Sequence, residues 1–245
     1  MIMQTTKVSI NNKIDANFIK IISILYHKKW LMETRNRGIY RKVRLLRLWV
    51  FFVIMKVMKS YNTLNDYYRK LFGEKTFKVP IDAGFDCPNR DGTVAHGGCT
   101  FCTVSGSGDA IVAPDAPIRE QFYKEIDFMH RKWPDVQKYL VYFQNFTNTH
   151  EKVEVIRERY EQAINEPGVV GINIGTRPDC LPDETIEYLA ELSERMHVTV
   201  ELGLQTTYET TSDLINRAHS YELYVETVKR LRKYPKIEIV SHLIN

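Results

Sequence analysis

Of the 245 residues, 44% are apolar and 26% charged, with a formal net charge of +4, the profile of an ordinary globular chain holding one large α/β domain or two small ones. Four cysteines in so long a chain, three of them within sixteen positions, together with the absence of a secretory cleavage-site pattern, exclude a disulfide framework and point to a cytoplasmic ligand set. The charge is uneven: residues 1–57 carry 12 Lys and Arg against Asp15 and Glu33, a balance of +10, leaving 22 basic and 28 acidic residues, or −6, for the remainder, which has no basic footprint for a polyanion.

Residues 1–57 contain two apolar patches, 18–26 and 45–55, set among Lys and Arg. Neither reaches the roughly 20 residues that cross a bilayer. A basic amphipathic segment lying on a membrane or on RNA is one reading. The preferred one is a poorly structured extension, upstream sequence read through because translation was assigned to start before Met58, and membrane contact is not expected. From residue 58 the pattern is regular. Leu64, Tyr67, Tyr68, Leu71 and Phe72 predict a helix over 61–72 that stops at Gly73. A strand over 77–83 ends at Gly84, and from it hangs the stretch VPIDAGFDCPNRDGTVAHGGCTFCTVSGSGD, residues 79–109.

Beyond that loop the spacing predicts helices over 118–132, 153–164, 183–195 and 221–233, and strands over 139–143, 169–174, 198–204 and 237–244. Strands alternating with helices through five strands indicate parallel βαβ units, closed either as an open doubly wound sheet or as a barrel. The polar loops 144–150, 175–182 and 203–208 follow strands, as the cysteine loop does. A barrel gathers such loops on its carboxyl-end face, so the expected architecture is α/β, a partial TIM-type barrel. The sequence runs to Asn245, immediately after the fifth strand, and a lone strand edge there would expose its backbone. The core over 58–245 is therefore expected to be a C-terminally truncated version of a longer one.

Cys87, Cys99 and Cys102 form a C-x11-C-x2-C array on a Gly-rich loop. Three thiolates bind a soft or borderline metal and leave one position open; the spacing fits zinc and iron-sulfur alike. Cys180, 78 residues after Cys102, either completes a four-cysteine zinc site or is an ordinary buried cysteine. Phe101 supplies an aromatic wall beside Cys102. The seven histidines show no ligand spacing, and His96, His150, His219 and His242 are read as ordinary.

The cysteine loop, together with YFQNFTNTH (142–150), GTRPDCLPDE (175–184) and ELGLQTTYETTSDLINRAHSYE (201–222), resembles the radical S-adenosylmethionine (SAM) proteins of the Fe-S oxidoreductase type. These are similar in their core to the radical domain of the Elongator catalytic subunit. The resemblance covers about 58–245 and implies a partial (β/α)6 barrel. It also implies a [4Fe-4S] cluster on Cys87, Cys99 and Cys102 whose fourth iron is chelated by SAM, and reductive cleavage of SAM to a 5′-deoxyadenosyl radical that abstracts hydrogen. An external one-electron reductant of flavodoxin or ferredoxin type and a tRNA nucleoside substrate are implied in the same way. Gln144, Asn145 and Thr147 stand where the family carries a Gly-Gly-Glu type motif for the methionine amino group, with amides and a hydroxyl in place of the acid; the plainer reading is a loop capping the next helix. Glu201 and Gln205 stand where ribose contacts are expected, and Arg217 is placed to meet the SAM carboxylate. The plainer readings are a barrel-interior charge for Glu201 and a solvated helix residue for Arg217. Arg177 and Asp179 are suited to an ion pair within their own loop. The family's Gly-rich adenine contact after the fifth strand has no counterpart in this sequence. Two alternatives are a non-catalytic four-cysteine zinc interaction module and an inactive truncated fragment that retains the cluster loop.

Overall fold

The computed structural model describes residues 61–106 and 111–244. The expectations for residues 1–57 lie outside the described residues. Helix α1 (Leu64–Phe72) is capped by Thr63, which accepts from the Asp66 N–H at 3.1 Å, and is ended by Gly73 in the left-handed region at φ 82°, as the sequence predicts. Then follow β1 (Thr76–Ile81), α2 (Ile118–His130), β2 (Lys138–Phe143), α3 (Val153–Ile164), β3 (Val169–Thr176), a 3-10 turn (Pro178–Cys180), α4 (Asp183–Ser193), β4 (His197–Gln205), α5 (Glu209–Leu214), α6 (Tyr221–Leu231) and β5 (Ile237–Leu243). All the predicted elements are present. The 3-10 turn and α5 were not predicted, since three residues and six polar-rich ones carry no period to read. Strand β3 runs two residues past its expected end because Gly175 and Thr176 keep pairing with Glu201 and Leu202.

The five strands are all parallel and lie in the order β1-β2-β3-β4-β5. A doubly wound sheet must reverse its order at a switch point, which this one does not do. Successive right-handed crossovers in one direction put every helix on the same face, so the sheet is a barrel wall and not a central partition. The side-chain alternation agrees. Phe77, Val79 and Ile81, Val141 and Phe143, Ile172 and Ile174, and Val198, Val200 and Leu202 share one buried cluster with Phe122 of α2, Tyr160 of α3, Leu189 of α4 and Leu231 of α6. The alternate positions carry Lys78, Tyr142, Asn173, Thr199, Glu201 and His242, and these form a polar lumen.

Curvature follows from one contact. In a flat sheet β1 and β4 would stand three spacings, about 14 Å, apart, yet the Lys78 ammonium on β1 is paired with the Glu201 carboxylate on β4. Helix α1 packs across the amino ends of the strands. Its Tyr68 hydroxyl accepts from Asn173 Nδ2 at 3.3 Å, its Phe72 ring meets the His197 ring edge-on at 5.6 Å, and the Phe72 carbonyl accepts from Lys138 Nζ at 2.8 Å. Among the described residues no helix is long and apolar enough to cross a membrane.

Gly171 of β3 is crowded by both neighbouring strands: an added Cβ would stand 2.5 Å from the His197 carbonyl oxygen and 2.8 Å from Leu140 Cδ2. Gly171→Ala forces backbone apart and is expected to lower the unfolding free energy by about 1–3 kcal/mol in urea titrations. Unchanged stability would mean that the wall yields at this point.

Candidate cluster and cofactor site

A cavity of about 530 Å³ opens at the carboxyl ends of the strands, and all four polar loops reach it. Its walls include Cys87, Cys99, Phe101 and Cys102 from the cysteine loop, Gln144 and Thr147 after β2, Thr176 and Arg177 after β3, Glu201 and Gln205 of β4, Arg217 and His219 beyond α5, and His242 of β5. Of the residues assigned from the sequence to metal or cofactor binding, Asn145 alone is not on this wall. It is buried and donates to Asp82 Oδ2 at 2.6 Å, so it ties the β2 loop to the end of β1.

The cysteine loop is held by its backbone. Arg90 N and Asp91 N both donate to the Cys87 carbonyl, at 2.8 and 3.1 Å, and Cys102 N donates to the Cys99 carbonyl at 3.0 Å, so each cysteine segment closes on itself. Gly98, at φ 75°, is where the loop needs glycine twice over: its conformation is left-handed, and a Cβ would lie 2.9 Å from Arg90 Nε. The three thiols are half-buried. The Cys99 thiol is drawn down to about 6 by its hydrogen bond with Cys102 against the effect of burial, helped by Asn89, Arg177 and Arg90. The Cys102 thiol is correspondingly pushed up. Three half-buried thiols on one loop, with an amide donor and two guanidiniums at hand to offset accumulated negative charge, fit an anionic thiolate-bound cluster. Cys180 is different in kind. It is buried, it is not on the cavity wall, its thiol donates to Asp179 Oδ1 at 3.8 Å, and burial raises its pKa, all of which favours an ordinary buried cysteine over a fourth ligand.

The β2 loop does not cap α3. Asn148 Nδ2 donates to the carbonyls of Phe143 and Gly175 at 3.0 and 2.9 Å, and the Thr149 hydroxyl meets Thr176 and the Cys180 carbonyl, both at 2.5 Å. These bonds lace the ends of β2 and β3 together and leave Gln144 and Thr147 on the cavity wall. Arg177 is bidentate to Asp179 at 2.9 and 2.7 Å, the ion pair expected within that loop, and also donates to the Arg217 and Ala218 carbonyls.

Arg217 is neither a solvated helix residue nor a free cation. It is 1% exposed, and four of its N–H groups go to the His219, Leu204 and Thr206 carbonyls at 2.9, 2.8 and 2.6 Å and to Glu209 at 3.5 Å. Such a guanidinium pins the β4–α6 connection around the cavity. Gln205 sits beyond a break in the β4–β5 register, in the left-handed region at φ 63°. A bulge of this kind re-aims the side chain that follows it. Phe146 on the cavity wall, and Asn216 and Ala218 on either side of Arg217, lie at φ 57°, 52° and 58° in the same sparsely occupied region.

Glu201 is an interior charge, 3% exposed. It is paired with Lys78 and accepts from Asn173 Nδ2 at 2.9 Å and His242 Nε2 at 2.8 Å. Burial alone would raise its pKa; His242, Lys78 and Asn173 outweigh that and hold it at about 2. Two of the histidines read as ordinary prove to line the cavity. His242 pairs with Glu201, and His219 bonds the Gly203 carbonyl at 3.1 Å and is drawn down to about 4 by burial and by Arg177. His150 pairs with Asp91 of the cysteine loop at 2.7 Å.

An α/β barrel wall that gathers three thiols and the strand-end loops around one mouth defines a class, the barrel proteins that seat a cofactor over the carboxyl ends of their strands. Residues 90–244 match the Radical SAM superfamily, and the chain belongs to it. It is 57% identical over 187 residues to the uncharacterized protein YtqA of Bacillus subtilis (strain 168), covering 76% of this chain and 58% of that protein. It is 37% identical over 191 residues to protein YhcC of Escherichia coli (strain K12), covering 78% and 60%. To the uncharacterized protein MJ0486 of Methanocaldococcus jannaschii it is 32% identical over 181 residues, covering 73% and 54%. The chain thus spans less than two thirds of the length of these relatives. Among solved structures it is similar to the archaeal Methanocaldococcus infernus Elp3 with an N-terminal deletion, with a TM-score of 0.47 and 16% identity over 69% of this chain and 38% of that one.

The Glu201 pKa has a consequence for stability. A carboxylate held at about 2 instead of its usual 4.5 contributes about 3 kcal/mol that is complete above the ordinary value and is lost as pH falls toward 2. Urea unfolding between pH 6 and 3 is expected to show a steeper loss for the parent than for Glu201→Gln; equal slopes would remove Glu201 from this role.

Proposed function

We propose that the protein is a radical SAM enzyme, with a [4Fe-4S] cluster on Cys87, Cys99 and Cys102 and SAM in the adjoining cavity. The observation that carries this reading is the convergence of the three thiols and the three downstream loops on one cavity at the carboxyl ends of the strands. A cluster held by Cys87, Cys99 and Cys102 would supply one-electron reductive cleavage of the SAM sulfonium, and with it hydrogen-abstraction chemistry.

The chain's own residues do the rest. Cys87, Cys99 and Cys102 are the ligands, and Phe101 is the wall beside them. Gln144 and Thr147 offer a carbonyl and a hydroxyl to an ammonium group, and Gln205 offers an amide from the bulge in β4. Glu201 has acceptor capacity left that suits ribose hydroxyls, and His242 stands beside it on the cavity wall. Arg217 acts on SAM through the loop it pins, since its donors are engaged. The electron comes from an external carrier of flavodoxin or ferredoxin type. A tRNA nucleoside is the proposed substrate, on the resemblance to the Elongator-type radical domain, and comparing tRNA nucleosides from cells with and without the protein tests it.

Anaerobic loading with iron and sulfide is expected to give a visible chromophore that bleaches on reduction, and slow formation of 5′-deoxyadenosine from SAM. Serine at Cys87, Cys99 or Cys102 abolishes the chromophore, and Cys180→Ser retains it. Stoichiometric zinc uptake that needs Cys180, without SAM cleavage, would establish the zinc-module alternative instead. Turnover is measured on this chain and on one extended to the length of its relatives.

A further inference from the structure

One side chain next to the cysteines is unaccounted for by ligation or by contact with the cavity. Asn89 is 0% exposed, two residues after Cys87, and its amide nitrogen makes two contacts: to Cys99 Sγ at 3.3 Å and to the Asn216 carbonyl at 2.6 Å. Both neighbours are acceptors, so the nitrogen and not the oxygen must face them; each takes one of the two N–H bonds. The amide oxygen is left buried with no hydrogen-bond partner. A residue serving only to fold the loop has no need of this arrangement, because a buried acceptor without a donor costs about 1–3 kcal/mol. Folding the loop is already the task of other bonds. Asn216, on the far side, donates to the carbonyls of His96 and Gly98 at 3.2 and 2.8 Å, Thr100 N donates to the Ile215 carbonyl at 3.0 Å, and Gly98 N to the Asn89 carbonyl at 2.8 Å.

We propose that Asn89 is a positioning residue that tunes the cluster through an N–H···S bond to Cys99, resting on the reading that Cys87, Cys99 and Cys102 carry a cluster. Reduction adds negative charge that spreads onto the ligand sulfurs. A donor aimed at one sulfur stabilises the reduced state more than the oxidised one, so it raises the reduction potential. Asn216 fixes the direction of that donor, since its carbonyl takes the second N–H and prevents the amide from turning. Asn89 thereby makes the cluster easier to reduce by an external carrier, while the loop clamp supplied by the Asn216 side chain is a separate, purely structural device.

The two devices are separable because Asn216 receives Asn89 on its backbone and holds the loop with its side chain. Asn216→Gly removes the clamp, keeps the carbonyl and tolerates φ 52°. Redox titration of the reconstituted chain, followed by electron paramagnetic resonance, is expected to show a more negative potential in Asn89→Ala and the parent's potential in Asn216→Gly. Equal shifts in the two variants, or none in Asn89→Ala, would overturn the proposal. Should Asn89→Ala fail to load, the parent decides: selective ¹⁵N-asparagine labelling is expected to change the nitrogen coupling seen by pulsed resonance of the reduced cluster, and the absence of any asparagine coupling overturns the proposal. A parent that forms no reducible cluster overturns the cluster reading itself, and the proposal with it.

Discussion

The curvature of the barrel wall depends on an ion pair that spans the inner face of the sheet, Lys78 on β1 with Glu201 on β4. Taking both charges out of water is costly, and their mutual attraction offsets that only when other groups complete the solvation. Here Asn173 and His242 add hydrogen bonds to the carboxylate, and the Tyr142 ring lies 4.2 Å from the ammonium. Side chains from every strand of the sheet thus contribute to one network. It also constrains geometry, because it can form only when β1 and β4 approach across the lumen. The apolar face, packed under the helices, would tolerate a range of curvatures; the polar face specifies one.

That curvature decides where the strand-end loops arrive, and the loops then secure one another. The cysteine loop reaches the α5–α6 connection through Asn89 and Asn216, Arg177 reaches the same connection through the Arg217 and Ala218 carbonyls, and Asn148 binds the ends of β2 and β3. Most of these bonds end on main-chain carbonyls, so they hold backbone in place and are indifferent to which side chains line the cavity. Gln144, Thr147 and Gln205 line the cavity that this frame surrounds.

Much of this was legible in the residues themselves. Alternation through Val79 and Ile81, Val141 and Phe143 or Val198 and Val200 marks half-buried strands, and periods such as Ile118, Phe122 and Ile126 mark helices, so element order and type followed directly. Cys87, Cys99 and Cys102 announced themselves by residue type and spacing. Choosing barrel over doubly wound sheet rested on loop polarity, and the strand order bears it out. Side-chain destinations were harder to read. Nothing local shows that Arg217 turns inward onto three carbonyls, because the acceptors belong to residues whose positions only the folded connection defines. His242 and His219 looked ordinary for the same reason, since their partners Glu201 and Gly203 are distant in sequence. Asn89 carried a faint signal, an amide within two residues of a cysteine in a CPN run, but its bond to Cys99 exists only once the loop has closed.

Gln205 and Phe146 on the cavity wall, and Asn216 and Ala218 in the α5–α6 connection beside it, carry left-handed backbone at residues other than glycine. Each such conformation costs on the order of 1 kcal/mol, so the rim as a whole forgoes an amount comparable to a good part of a typical domain's net stability. The wall and its helices must supply the difference. Among the described residues, backbone strain is therefore gathered near the carboxyl-end face and offset by the wall and helices beneath it.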